Sequence, residues 1–180
     1  MTYYGPKEIA SSFRTVRKNT IQIAEDIPEA QYNYQPAPGA RTVAQTLAHI
    51  AQLTIFPREL GERKTMEGFD FRKRFADLAA EEAKPRPKAD LIQWLRQNGE
   101  DFAKWVESLP EAFLSEVFTF PAGAEPPART RIDMLLSVKE HEMHHRGQLM
   151  LVERMLGITP HLTKRQQERM AALQGQPARA

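Results

Sequence analysis

The segment from Thr130 to Gly157 constrains the fold more than any other part of this sequence. Its apolar residues recur with the three- and four-residue spacing of an α-helix, so they form a stripe along one face. Threonine is a common N-cap residue, and glycine commonly follows the last helical turn. A helix this long buries its apolar face only against other long helices, which predicts a helical bundle.

Three further segments have the same helical periodicity. They run from near Pro6 to before Pro28, from the capping box at Thr42 onwards, and from about 89 to 109. Pro57 is expected to kink or end the second of these helices. No run of residues alternates long enough to predict a substantial sheet. The predicted fold class is therefore all-α, a four-helix bundle with one or two short extra helices.

The connections contain smaller predicted elements. These are a helix over 71–83, a short strand within 114–120 and a peripheral helix over 162–173. The long connections 27–41 and 110–129 permit crossovers between helices that are not adjacent in the chain. Since there is no internal repeat or second block of composition, we predict a single domain over 1–174 and a flexible tail over 175–180.

Composition narrows the chemistry. The chain has 180 residues and no cysteine, so any metal must be bound by nitrogen and oxygen ligands. The net charge of +2 is too small to predict nucleic-acid binding. No apolar run approaches the roughly 18–20 residues that a membrane span needs, and no secretory signal is visible. We therefore expect a cytoplasmic protein without a membrane or nucleic-acid partner.

Two histidines, His141 and His145, lie within the apolar stripe of the 130–157 segment. Residues four apart on a helix lie side by side, about 5–6 Å between Cβ atoms. The same arc of the helix holds Met134 and Val138, so both histidines are expected to face the core. Because buried polar groups need partners, we interpret the pair as a metal chelate. The alternative is two neutral imidazoles that bond to each other or to carboxylates.

A third ligand is needed, because catalytic zinc sites typically have three protein ligands and a water. His49 is the only histidine on another long predicted helix, at the edge of its apolar stripe. It completes the set if the second and fourth helices are neighbours; otherwise it is a hydrogen-bonded boundary residue. His144 lies about 100° from His145 on the helical wheel, which places it outside the set or at the surface. His161 is predicted to lie in a loop.

A second motif competes with this interpretation. The run from His141 to His145 satisfies H-E-x-x-H, in which Glu142 is the general base of a zinc protease. The extended form of the motif fails, because Gln148 stands at its glycine position and Leu151 at its third histidine. A metalloprotease is therefore the least favoured function of those considered.

Two stretches of the sequence resemble the signatures of the DinB-like superfamily. The first is 32–42, Tyr-Asn-Tyr-Gln-Pro-Ala-Pro-Gly-Ala-Arg-Thr, which leads into Leu-Ala-His-Ile at 47–50. The second is His-Glu-Met-His-His-Arg-Gly-Gln-Leu at 141–149, followed by Leu-Gly at 156–157. The resemblance covers the chain from about 9 to 157, and the spaced pair of signatures is more specific than either alone.

The resemblance implies several properties. The bundle would be up-down-down-up, and His49, His141 and His145 would bind a divalent metal, usually zinc or nickel. Members of the family often form homodimers. Some are thiol-dependent transferases or isomerases, which implies a low-molecular-weight thiol as a partner. From the residues alone the metal stays open, since imidazole suits zinc, nickel, copper and iron.

Two functions are consistent with these patterns. The first is a metal-dependent enzyme that transfers a thiol or hydrolyses a small molecule. In it, Glu142 would orient a ligand or act as a base, and Gln148 would hydrogen-bond the ligand in the open position. For each of these two residues the alternative is a solvent-facing position at the helix boundary. The second function is a non-catalytic, metal-stabilised bundle or dimerisation module linked to stress.

Overall fold

The computed structural model describes residues 4–61, 63 and 65–174. Its helices are α1 (Pro6–Asp26), α2 (Val43–Gln52), α3 (Ile55–Gly61), α4 (Phe71–Glu82), α5 (Lys88–Glu107), α6 (Glu111–Leu114), α7 (Arg131–Met155) and α8 (His161–Gln174), with a 3-10 turn at Glu29–Gln31. The strands β1 (Val117–Thr119) and β2 (Ala128–Thr130) form an antiparallel pair. The tail predicted for 175–180 lies outside the described residues.

Local capping interactions fix where the helices of the site begin. At the start of α2, the Thr42 hydroxyl accepts a hydrogen bond from the Gln45 backbone N–H at 3.2 Å. The Gln45 side-chain oxygen accepts in return from the Thr42 N–H at 2.9 Å, which completes the predicted capping box. At the start of α7, Thr130 accepts from the Asp133 N–H at 3.4 Å. Gly157, with φ of 77°, follows the end of α7 in the left-handed conformation that glycine tolerates.

The helices α1, α2, α5 and α7 form the four-helix bundle. One buried cluster joins the first half of α1 to the end of α5 and the start of α7, and includes Phe13, Phe102 and Val138. The other joins the second half of α1 to the start of α5 and the end of α7. Hence α1 and α7 run in one direction and α5 in the other. Since α2 begins beside Val152 and ends beside Val138, it runs against α7, and the order is up-down-down-up.

The end of the second helix and the pairing of the short strand differ from the sequence prediction. The second helix ends at Gln52, and Pro57 lies in the first turn of the separate helix α3, where its missing N–H costs little. The predicted strand is β1, but its partner β2 was not predicted, because Ala128–Thr130 has no alternating pattern. The pairing of Val117 with Thr130 brings the chain directly to the N-cap of α7. None of the helices in the described part is long and apolar enough to span a membrane.

Candidate metal centre

Three imidazole rings meet where α2 lies against α7. The Nε2 atom of His141 lies 3.2 Å from that of His49 and 2.8 Å from that of His145. One nitrogen from each ring lies within 4.8 Å of the other two. Nitrogens on a tetrahedral zinc ion, each about 2.0–2.1 Å from the metal, are about 3.3 Å apart. The structure therefore brings together the three predicted ligands at a spacing close to that of a metal site.

The outer nitrogens of two of these rings have hydrogen-bond partners. His49 Nδ1 lies 3.0 Å from a carboxylate oxygen of Glu82, and His145 Nδ1 lies 2.8 Å from the side-chain oxygen of Gln148. Because both partner atoms are acceptors, each Nδ1 carries the proton and donates it. The Nε2 lone pairs of His49 and His145 are then directed into the cluster, as in metal sites whose histidines donate to a carboxylate or carbonyl.

Burial favours the neutral form of all three rings. It lowers the pKa of His145 to about 4 and also lowers the pKa of His49 and of His141. The positive charge of Arg41 lowers the pKa of His49 further, while Glu82 opposes this effect. Because the Nε2 lone pairs of His49 and His145 both point toward Nε2 of His141, either the Nε2 proton of His141 or a cation lies between the rings. The donor set thus fits a divalent ion, which accepts neutral imidazole nitrogen.

Glu82, the last residue of α4, is a part of the site that the sequence analysis missed. One of its oxygens accepts from His49, and the other pairs with the guanidinium of Arg41. The carboxylate is thus shared between a predicted ligand and the loop before α2. In the sequence, Glu82 ends a charged amphipathic segment and is 33 residues from His49. No local pattern marks it, because its role depends on how α4 packs against α2.

One side of the histidine cluster is open. A solvent-accessible depression of about 470 Å³ is lined by Arg41 and His144 together with the three clustered histidines. Among the described residues, no further histidine or carboxylate joins the group of three ligand atoms. This leaves room for a small molecule or water at the face of the cluster, which is the arrangement of catalytic rather than structural zinc sites.

The other two histidines lie outside the cluster. His144 is exposed, and its Nε2 accepts a hydrogen bond from the side-chain amide of Gln148 at 3.2 Å, so Gln148 connects it to His145. This agrees with its predicted position outside the set of ligands and at the surface. The loop prediction for His161 was wrong, because it is the first residue of α8 and only 8% exposed. Its Nε2 lies 3.2 Å from the side-chain oxygen of Asn19, which anchors α8 to α1.

Glu142 occupies neither of the two positions predicted for it, which were beside a ligand of the metal or facing solvent at the helix boundary. Its side chain is fully buried, and Arg17 of α1 contacts both carboxylate oxygens at 2.9, 3.1 and 2.9 Å. The buried face of α7 is centred near Leu135, Glu142 and Leu149, so His141 lies at its exposed edge. The carboxylate that a zinc protease would use as a base is therefore held in an ion pair.

Gln148 is predicted to hydrogen-bond a ligand in the open position, and in the structure its side chain has two partners within the chain. Its carbonyl oxygen accepts from His145 and its amide donates to His144, so both ends of the side chain are used within α7. The side chain thus orients an imidazole directly. The spacing of three between His145 and Gln148 is a signal that sequence analysis could have used, because residues three apart on a helix are neighbours.

Comparison with known proteins places these observations in a family. The sequence profile of the DinB superfamily matches residues 12–149, which include all three clustered histidines. Among proteins with curated functions, none is detectably similar in sequence.

Several solved structures share the fold. The DinB-like protein YjoA from Bacillus subtilis is 23% identical, with a TM-score of 0.64 over 84% of this chain and 93% of its own. A DinB-like protein from Bacillus cereus is 17% identical, with a TM-score of 0.64 over 88% and 97%. YfiT from Bacillus subtilis, described as a probable metal-dependent hydrolase with an unusual four-helix bundle topology, is 16% identical, with a TM-score of 0.64 over 88% and 91%. At these identities the likeness establishes the fold.

Proposed function

Because the chain belongs to the DinB superfamily, we propose that it is a metal-dependent hydrolase of a small molecule, with His49, His141 and His145 as the ligands of a divalent ion. The observation that carries the proposal is the geometry of the cluster. Three imidazole nitrogens converge, two of the rings are oriented by acceptors behind them, and the remaining side opens to solvent.

The chemistry expected of such a site is the generation of a nucleophile. His49, His141 and His145 would hold a divalent ion, which would lower the pKa of bound water, or of a thiol, toward neutrality. Zinc and nickel both accept imidazole nitrogen, so the proposal covers either metal.

The protein side chains contribute orientation and charge. Glu82 and Gln148 each accept the Nδ1 proton of a proposed ligand, which keeps Nε2 free of a proton. In this proposal Gln148 is a positioning residue that acts through His145. Arg41 lines the open side of the cluster and supplies positive charge beside an incoming carbonyl or anionic group. Since Glu142 is paired with Arg17, we assign it no step in the reaction.

Thiol transfer is the second candidate reaction, since the same site would activate a low-molecular-weight thiol in place of water. A metal-stabilised bundle without catalysis is the third. The open face of the cluster favours an enzyme over a structural site, because structural zinc is usually enclosed by four protein ligands. The naming of YfiT as a probable metal-dependent hydrolase supports hydrolysis over thiol transfer. The homodimer implied by the resemblance stays a prediction.

Metal titration is the first test. Chelator-stripped protein is titrated with Zn²⁺ and with Ni²⁺ by calorimetry, and bound metal is counted by mass spectrometry. We expect one ion per chain for the wild type and loss of that binding in His145→Ala. His144→Ala is the matched control, because it removes an exposed histidine of the same helix that lies outside the cluster. A wild-type protein that binds neither ion stoichiometrically would refute the proposal.

Activity assays then separate the three candidates. Zinc-loaded protein is mixed with a panel of small esters and amides, with and without cysteine as the thiol. Product release without thiol, lost in His145→Ala, supports hydrolysis. Transfer of the acyl group of an ester or amide to cysteine, with release of the alcohol or amine, supports S-transfer instead. Stoichiometric metal binding without turnover in either assay supports the non-catalytic bundle.

A further inference from the structure

A groove between α2 and α7 leads away from the histidine cluster, and we call it the α2–α7 groove. It has a volume of about 820 Å³ and is bounded by the loop 36–41, the start of α2 and the second half of α7. Arg41 lines both this groove and the depression over the histidines, so the two cavities adjoin. Glu82 and Gln148, which orient two of the proposed ligands, also line it. The groove thus begins at the candidate metal centre.

The far end of the groove is aliphatic. Leu151 and Met155 line it and are 59% and 50% exposed, which leaves a continuous apolar wall open to solvent. Among the described residues, no aromatic ring lines the groove. Between Gln148 and Met155 the helix rises about 10 Å, so the wall is elongated. An elongated wall without rings suits an aliphatic chain better than a planar ring.

Most polar side chains of the groove already have partners. The hydroxyl of Thr46 donates to the backbone oxygen of Thr42 at 2.9 Å, and the side-chain oxygen of Gln45 accepts from the Thr42 N–H. Both ends of the Gln148 side chain are bonded within α7. Since these groups do not need a ligand, the surface left for an occupant is mainly apolar.

Arg41 differs from these residues, and it stands at the end of the groove nearest the histidines. Its Nε donates to Glu82, whereas no described residue accepts a hydrogen bond from its two Nη nitrogens. The side chain is 44% exposed and lines both cavities, so a ligand in either one can reach it. A guanidinium binds acyl and carboxylate oxygens through its N–H groups. The groove therefore has a polar anchor at one end and an apolar wall at the other.

The loop that forms one side of the groove is held by internal hydrogen bonds. The side-chain amide of Gln35 donates to the backbone oxygen of Ala40 at 2.7 Å, and the Ala40 N–H donates to Ala37 at 3.1 Å. The Val43 N–H donates to the backbone oxygen of Tyr34 at 3.1 Å, which ties the loop to the start of α2. The groove is thus formed before a ligand binds, as small-molecule sites usually are.

We propose that the α2–α7 groove binds the aliphatic acyl chain of the substrate, and that Arg41 binds an oxygen of its acyl group beside the histidine cluster. This inference rests on the proposed function and deepens it, because it makes the substrate an ester or amide of a medium-chain fatty acid. In hydrolysis, water adds to the acyl carbon and the C–O or C–N bond breaks. An alcohol leaves with one proton of the water and the other goes to solvent, whereas an amine takes both. The carboxylate product remains at Arg41, with its chain along the wall toward Met155.

The carboxylate products are the probes, because they bind without turnover. Binding of butanoate, hexanoate and octanoate to chelator-stripped and to zinc-loaded protein is measured by NMR titration. In both metal states we expect the affinity to rise about 2- to 4-fold with each added methylene, the upper value being that of full burial. In chelator-stripped protein, octanoate should bind about 2- to 10-fold more tightly than octan-1-ol, because Arg41 bonds the carboxylate while Glu82 offsets part of its charge.

Two variants assign these effects to the groove. Met155→Gln replaces part of the aliphatic wall by an amide of similar length, so it should weaken octanoate binding severalfold and leave butanoate binding unchanged. Its control is Met143→Gln, at an exposed methionine of the same helix outside the groove. Arg41→Gln should abolish the preference of chelator-stripped protein for octanoate over octan-1-ol and keep the rise with chain length. Its control is Arg72→Gln, at an exposed arginine of α4.

An affinity that does not rise with chain length would overturn the inference. A rise that is unchanged in Met155→Gln, or a preference for the carboxylate that is unchanged in Arg41→Gln, would overturn it too. A second copy of this chain is the competing occupant of the wall. A wild-type dimer that Met155→Gln converts to a monomer in sedimentation, without binding that depends on chain length, would assign the wall to that copy instead.

Zinc content measured on the same samples keeps the two proposals separate. Protein that binds the probes according to chain length but binds no zinc or nickel refutes the proposed function and leaves the groove intact. Protein that binds zinc but shows no dependence on chain length refutes only the groove.

Discussion

The ion pair between Arg17 and Glu142 gives the sharpest prediction about stability, and it separates a structural glutamate from a catalytic one. The side chains are 4% and 0% exposed. Glu142 accepts hydrogen bonds from Arg17, while Arg17 also donates to the backbone oxygens of Leu95 at 2.7 Å and Ile50 at 3.2 Å. Loss of one partner leaves the other as an unpaired charge in the core of the bundle.

The expected magnitude follows from this burial. Removal of one member of a buried ion pair costs about 3–5 kcal/mol, whereas replacement of both members by apolar residues is often close to neutral. Arg17→Met and Glu142→Leu should therefore each lower the free energy of unfolding by about 3–5 kcal/mol. The double variant should lose much less than the sum, so that the coupling energy of the cycle is at least about 3 kcal/mol.

Urea unfolding of metal-free protein, followed by circular dichroism, measures these free energies without a contribution from bound metal. Glu142→Gln, which keeps the shape of the side chain, provides a milder variant if Glu142→Leu does not fold. Additive single losses, or a loss below about 1 kcal/mol in Glu142→Leu, would refute the claim that the pair is a buried unit. Unchanged stability of Glu142→Gln together with abolished turnover would show that Glu142 is the catalytic base.

Three further predictions concern single residues. Glu82→Gln should weaken zinc binding about 10- to 100-fold in calorimetric titration, because it weakens the bond that orients His49; an unchanged affinity would contradict this. Burial raises the pKa of Glu153 to about 7 from 4.5, so the wild type loses stability as the pH rises through this range. The free energy of unfolding of Glu153→Gln, relative to that of the wild type, should therefore rise by up to about 3 kcal/mol between pH 5 and pH 8. Urea unfolding at the two pH values measures this, and a difference that does not change with pH would contradict it. Gly99→Ala places a Cβ 2.8 Å from Cγ of Arg17. This overpacking should cost about 1–3 kcal/mol and lower the Tm by several degrees. An unchanged Tm would show that the arginine can shift.

Much of the bundle could be predicted because its signals are local. Thr42 and Gln45 specify the start of α2 within four residues, and Gly157 marks the end of α7 by its backbone freedom. The spacing of four between His141 and His145 is equally local, and it indicated a shared role without any knowledge of the fold. By contrast, Ala128–Thr130 becomes a strand only because Val117–Thr119 pairs with it.

The rest of the candidate site depends on packing between distant segments. Glu82 reaches His49 because α4 lies against α2, and neither segment shows this in its own sequence. The rotation of α7 is a similar case. A helical wheel cannot tell whether the buried face of α7 is centred on His141 or on Glu142. A charged residue such as Glu142 is predicted to be exposed unless its buried partner, Arg17, is known.

The position of Glu142 between His141 and His145 gives the ion pair a role in the site itself. Arg17 bonds to Glu142 of α7 and to backbone oxygens of α2 and α5, so all four bundle helices meet at this guanidinium. The ion pair keeps Glu142 facing the interior of the bundle. His141 and His145 both lie on the same side of Glu142 on the helix, which is the side where α2 carries His49. A neutral leucine at 142 would pack over a range of helix rotations, whereas a bidentate ion pair is satisfied over a narrow one. Glu142, which makes the run resemble a protease motif, thus has a structural role instead: it fixes the rotation of the helix that carries two of the three histidines.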